Sequence, residues 1–163
     1  MDAKISIRLA RPHEVVAVAA IFSAARAQLM FLPRLHSPDQ ERDFIASCFR
    51  TEQILVATRD ETVFGFAAYC DGWLNHLYFH PQMQGQGGGG LLLARSKAAS
   101  EGVLQLWCFL RNTRARRFYE DRGFTAAEFT DGSRNEERQP DIRYVWRAAQ
   151  GGPLTSSLAQ RAH

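Results

Sequence analysis

The chain has 163 residues, of which 45% are hydrophobic and 23% charged, with a net charge of +3 and an isoelectric point near 9. These values suit one soluble globular domain with a core of its own. No apolar run reaches the length of a membrane span, and no lysine-rich tail or base-stacking motif accompanies the basic balance, so neither membrane nor nucleic acid is expected as a partner.

Met1-Asp2-Ala3-Lys4-Ile5 lacks the charged-then-apolar pattern of a signal peptide, which points to a cytoplasmic protein. Cys48, Cys70 and Cys108 are odd in number and sit in apolar segments. They read as buried free thiols in a reducing compartment, with neither a disulfide nor a metal framework.

In chain order, Ile5, Ile7 and Leu9 alternate with Ser6, Arg8 and Ala10 as a first strand. Pro12 suits a first helical turn, and Val15, Val18, Ile21, Phe22, Ala25 and Leu29 follow at helical spacing. Phe31 to His36 interrupts that pattern. Ser37-Pro38-Asp39-Gln40 then reads as an N-cap, a first-position proline and a capping-box glutamine, opening a second helix to about Arg50. Gln53–Arg59, Val63–Cys70 and Trp73–His80 form an antiparallel meander, with turns at Asp60-Glu61 and Asp71-Gly72. Gly65 marks a bulge or a close approach inside the second of these strands.

The stretch Leu74–Leu93 (LNHLYFHPQMQGQGGGGLLL) is the centre of the chain. Its order is strand, glycine-rich turn, helix, with the helix over Leu91–Glu101 and closed by Gly102. A helix N-terminus carries unpaired N–H groups and partial positive charge, and glycines allow a phosphate to come close. The backbone from Gln84 to Gly90 is thus a candidate pyrophosphate cradle, with Gly87 and Gly89 expected to permit the approach. Val103–Leu110 is the next strand and makes a parallel pair with a crossover. Asn112 or Thr113 caps a helix ending at Gly123. Phe124–Thr130 and Asp141–Arg147 are the last strands, separated by a polar loop. The domain is expected over residues 1–148, with a frayed tail over residues 149–163.

Two cradles compete. Gly85-Gln86-Gly87-Gly88-Gly89-Gly90 satisfies the G-x-G-x-x-G spacing of dinucleotide folds, which would make the protein an oxidoreductase. That reading needs an acidic residue at the end of the next strand, where the sequence has Arg111-Asn112. Gln84-Gly85-Gln86-Gly87-Gly88-Gly89 also resembles Q/R-x-x-G-x-G/A, the acyl-CoA pyrophosphate motif of the GCN5-related N-acetyltransferases (GNATs). Asn112 to Phe124 (NTRARRFYEDRGF) resembles the N-x-x-A-x-x-F-Y-x-x-x-G-F segment of the same family. The two motifs come in the family's order and spacing, and the resemblance covers roughly Ile5 to Trp146.

The resemblance implies an α/β fold: a mixed, mostly antiparallel central sheet with helices on both faces and a splayed parallel strand pair. It implies acetyl-CoA as acetyl donor and N-acetylation of a primary amine, with a small-molecule acceptor expected and a protein amine or a non-catalytic acyl-CoA sensor as alternatives. By the same resemblance, Gln84, Gly85, Gln86, Gly87, Gly88, Gly89 and Gly90 hold the pyrophosphate. The backbone at Leu77 and Phe79 and the side chain of Asn112 meet the pantetheine arm, and Tyr119 protonates the leaving thiolate. One or two of Arg111, Arg114, Arg116, Arg117 and Arg122 meet phosphate. No base is evident on the strand before the turn. Asn75 is a candidate for positioning a water, and His76 would reach the site only through a bulge. The acceptor pocket is expected among Phe31, Arg34, His36, Trp73, Glu136 and Glu137, with Glu136 or Glu137 meeting a cationic end of the substrate. A homodimer is common in the family, although the sequence shows no interface.

Overall fold

Apolar alternation in the first half of the chain folds into four antiparallel strands: β1 (Ser6–Leu9), β2 (Gln53–Arg59), β3 (Thr62–Cys70) and β4 (Trp73–Phe79). The computed structural model describes residues 4–149. The tail expected from residue 149 therefore lies, from residue 150 on, outside the described residues. Between β1 and β2 run α1 (Val15–Ala27) and α2 (Pro38–Thr51). The capping box at α2 forms in both directions: Ser37 Oγ accepts from the Gln40 amide, and Gln40 Oε1 accepts from the Ser37 amide.

The second half supplies α3 (Gly88–Ala99), β5 (Val103–Phe109), α4 (Thr113–Glu120), β6 (Thr125–Thr130) and β7 (Asp141–Arg147). The seven strands form one sheet in the order β1-β2-β3-β4-β5-β7-β6. Only β4 and β5 are parallel neighbours among the described residues, and they pair at a single couple, Trp73 with Gln105. Beyond it the strands diverge. This is the mixed, splayed sheet that the motifs implied.

Each face of the sheet has its own core. Val18, Ile21, Phe22 and Ile45 of α1 and α2 pack on Ile54, Val56 and Phe66. Leu92 and Leu93 of α3 and Tyr119 of α4 pack with Leu55, Leu104, Leu106 and Tyr144 on the other face. Each fully buried side chain of this size stabilises by roughly 1.5–3 kcal/mol.

Two bulges shape the strands that matter for the site. In β2–β3 the register passes from Ala57↔Gly65 to Thr58↔Val63, leaving Phe64 as the extra residue. Its ring turns onto the α3 side, beside Phe79. A Cβ on Gly65 would lie 2.4 Å from the Phe79 ring, so the glycine marks both a bulge and a close approach. In β3–β4 the register passes from Ala68↔His76 to Tyr69↔Leu74, and Asn75 is the extra residue.

Candidate active site

The glycine-rich turn differs from its sequence reading in where the helix begins. α3 starts at Gly88, three residues before Leu91, and Gly87 is its N-cap at φ +88°. That left-handed backbone is open to glycine and strained for other residues. Among the described residues no amide from Gly85 to Gly90 finds an acceptor; the first amide of this segment to bond is that of Leu91, which donates to Gly87 O at 3.4 Å. Six unpaired donors on a helix N-terminus favour an anion.

The glycines inside the helix have a second reason. A Cβ on Gly88 would lie 2.8 Å from Phe79 Cε1, and one on Gly89 would lie 3.1 Å from the Phe118 ring. Gly89 was expected to clear room for phosphate, but its side-chain direction faces Phe118. Gly88 and Gly89 let α3 sit close to its neighbours, and the backbone amides do the facing.

Three arginines surround the turn. Arg114 Nη1 donates to Gln84 Oε1 at 2.9 Å, and Arg59 Nη1 donates to Gln86 Oε1 at 2.7 Å. Arg122 lies over the Phe118 ring at 3.9 Å, and the Gly90 Cβ direction points at its guanidinium. Arg114 and Arg122 belong to the arginine cluster noted in the sequence. Arg59 was missed, because it ends β2 and reaches the turn only through the sheet.

From the turn a cleft of about 730 Å³ runs between β4 and the α4 segment. Leu77, Tyr78 and Phe79 line one wall, and Asn112, Ala115, Phe118 and Tyr119 of the α4 segment line the other. Asn112 caps α4 by accepting from the Ala115 amide at 3.2 Å, which leaves its own amide N–H groups as donors toward the cleft. Tyr119 is buried between Phe124 and Tyr144. Burial pushes its phenol well above the ordinary value of 10, with Cys108 and Tyr78 acting in the same direction. The phenol therefore keeps its proton at neutral pH, as a donor to a developing thiolate must.

A second cavity of about 370 Å³ lies under the α1–α2 connection. It is lined by Arg26, Arg34, His36, Glu41 and Glu136, and Leu29 is shared with the cleft. The structure thus brings Arg34, His36 and Glu136 of the expected acceptor residues together. The two acids are not free for a cationic substrate. Glu136 accepts from His36 Nε2, and Glu137 pairs with Arg26 at 2.9 Å with both side chains mostly buried. Arg26 also donates to the Tyr78 hydroxyl at 3.4 Å. No sequence signal joins Arg26 to Glu137, which are 111 positions apart.

Phe31 and Trp73 stand elsewhere. Phe31 packs edge-on against Phe109 and under Arg111, anchoring the loop. Trp73 begins β4 at the closed end of the strand pair, opposite Cys70 and Gln105. Neither lines the second cavity. Asn75 is also corrected: its amide donates to Glu52, away from the cleft. The bulge at Asn75 does exist, yet it leaves His76 on the α1–α2 side, among Phe22, Phe44 and Tyr78. Neither residue lines the cleft where an amine would lose its proton.

A sheet opened beside a helix N-terminus, over a buried phenol, is the architecture of an acyl-CoA-dependent acetyltransferase. Residues 50–126 match the family model of the acetyltransferase (GNAT) domain, whose acetyl donor is acetyl-CoA. Solved structures share the fold. Apo-form YjaB from Escherichia coli superposes with a TM-score of 0.73 at 22% identity, over 90% of this chain and 99% of that one. The yncA protein from Salmonella typhimurium, solved with its cofactor acetyl-CoA, gives 0.69 at 18% identity, over 92% and 97%. The ribosomal-protein-S18-alanine N-acetyltransferase from Escherichia coli gives 0.70 at 19% identity, over 91% and 97%. No curated protein matches the chain by sequence. Among the described residues no helix is long and apolar enough to cross a membrane.

Proposed function

We propose that the protein transfers the acetyl group of acetyl-CoA to the primary amine of a small molecule. The observation that carries this reading is the continuity of the cleft: unpaired amides of Gly85–Gly90 at one end, a protonated Tyr119 within, and the Arg26-lined cavity adjoining through Leu29. The amides and Arg114 hold the pyrophosphate, and Asn112 with the backbone at Leu77 and Phe79 orients the pantetheine arm. The uncharged amine attacks the thioester carbonyl, the C–S bond breaks, and the thiolate takes the Tyr119 proton. The amine's own proton leaves to water.

The second cavity, of about 370 Å³, supports a compact acceptor. Of the acids lining it, Glu136 is held by His36 and does not serve as a free carboxylate for the acceptor's amine. The test is calorimetric titration with acetyl-CoA, followed by a panel of small amines and amine-bearing peptides. Saturable binding with acetylation of small amines is expected. Binding without turnover on either class would make the protein a sensor, and turnover confined to peptides would overturn the small-molecule reading.

A further inference from the structure

Away from the cleft, on the α1–α2 side of the sheet, three side chains from separate parts of the chain converge. Cys48 in the last turns of α2, Glu52 at its C-cap and His76 on β4 offer a sulfur, a carboxylate oxygen and a ring nitrogen that all lie within 4.8 Å of one another. Cys48 is 5% exposed. Glu52 Oε2 and His76 Nδ1 are both shielded from solvent and have no hydrogen-bond partner among the described residues. Leaving one such group unpaired costs about 1–3 kcal/mol. Two in one place, beside a thiol, need a shared partner.

The local structure aims all three at that point. Cys48 lies in the last turn of α2, and the C-cap Glu52 is tied to it by its amide, which donates to Cys48 O at 2.8 Å. The Asn75 bulge sets the direction of His76, and the edges of Phe22 and Phe44 hold its ring with centroids at 5.7 and 5.4 Å. Asn75 donates to Glu52 Oε1, which orients the carboxylate and leaves Oε2 facing inward. A hydrogen bond from outside the ligand set onto a ligating carboxylate is a recurrent part of metal sites.

We infer that Cys48, Glu52 and His76 form a binding site for a zinc-class divalent cation, separate from the acetyl-transfer cleft. Sulfur, imidazole and carboxylate together suit a tetrahedral ion of borderline softness, with one position left for water. Ligand atoms around such an ion stand roughly 3.3–3.7 Å apart, so the observed spread needs only small side-chain adjustments. The charges balance: a thiolate and a carboxylate neutralise the ion, and the imidazole stays neutral. An ion bound here displaces the Cys48 proton. Cysteine spacing alone did not reveal the site, because its three ligands share no short motif. Its role is a staple between α2 and the strand that lines the cleft.

The experiment is titration of the metal-free full chain with Co²⁺, then displacement by Zn²⁺. One equivalent should bind, with a near-ultraviolet thiolate band and the visible bands of tetrahedral cobalt, and with release of one proton. Cys48→Ser should abolish the thiolate band. Glu52→Gln and His76→Gln should weaken binding at least tenfold. Should His76→Gln fail to fold, Asn75→Ala on the exposed side should still weaken it about tenfold. A folded wild type without the band overturns the inference. So does binding that survives all four substitutions, which would be an adventitious metal at other histidines or at Cys70.

Discussion

The cofactor cleft and the cavity under the α1–α2 connection are neighbours built on opposite rules. The cleft is made of backbone: amides from Gly85 to Gly90, a helix N-terminus, and a strand edge left open where β4 leaves β5. The cavity is made of side chains from distant segments, tied by Arg26–Glu137 and His36–Glu136. A backbone site depends on local conformation, so it is written in a short motif. A side-chain site depends on which segments the fold brings together. The first can be shared across a family while the second changes from one member to the next.

The sharpest way to break this comparison is Tyr119→Phe, which removes the one side chain of the cleft proposed to act in the chemistry. The turnover number should fall about a hundredfold or more, with acetyl-CoA affinity nearly unchanged in calorimetry. An unaltered turnover number would remove Tyr119 from the mechanism. Gly87→Ala probes the backbone side. The left-handed N-cap then carries about 1–2 kcal/mol of strain, and acetyl-CoA affinity should drop about tenfold. Gly88→Ala should act differently, through the 2.8 Å approach to Phe79, lowering the melting temperature by overpacking worth about 1–3 kcal/mol. Equal effects of the two on affinity would deny the separate roles assigned to them.

Glu137→Gln probes the side-chain site. It leaves the mostly buried Arg26 guanidinium without its carboxylate, at a cost of about 1–3 kcal/mol. The acceptor's KM should rise several-fold while acetyl-CoA binding stays as it was; a parallel loss of both would mean that the two regions are not independent. The smallest expected change concerns pH. The Tyr119 phenol is raised above 10 in the folded protein, so its protonated form persists below that value. The turnover number should show no alkaline fall from Tyr119 between pH 7 and 10, and a fall that Tyr119→Phe abolishes would contradict the burial argument.

Legibility in the sequence followed the same division. The Ser37–Gln40 box, the Asp71-Gly72 turn and the Asn112 cap are local, and the structure has each of them. The glycine run was legible as a turn, but the start of α3 at Gly88 was not. Glycine is a poor helix former, and only packing against Phe79 and Phe118 explains helical glycines there. Arg59 at the turn and Arg26 against Glu137 are contacts across the sheet and across the chain, which no spacing rule reaches. His76 needs a bulge in β4 to reach the cleft, and the structure has one at Asn75. The extra residue turns Leu74, not His76, to the side of Leu77.

The single couple between Trp73 and Gln105 has a mechanical meaning. Of the six junctions in the seven-stranded sheet, the other five are ladders of several couples, so the sheet behaves as two stiff plates joined by one rivet. A plate pair of that kind can rock about its joint with little resistance from the ladders on either side. A molecule lying in the gap and bonding to both edges would act as a brace. Amide hydrogen exchange along the open edges of β4 and β5 should therefore slow on addition of acetyl-CoA far more than exchange in the centre of either plate.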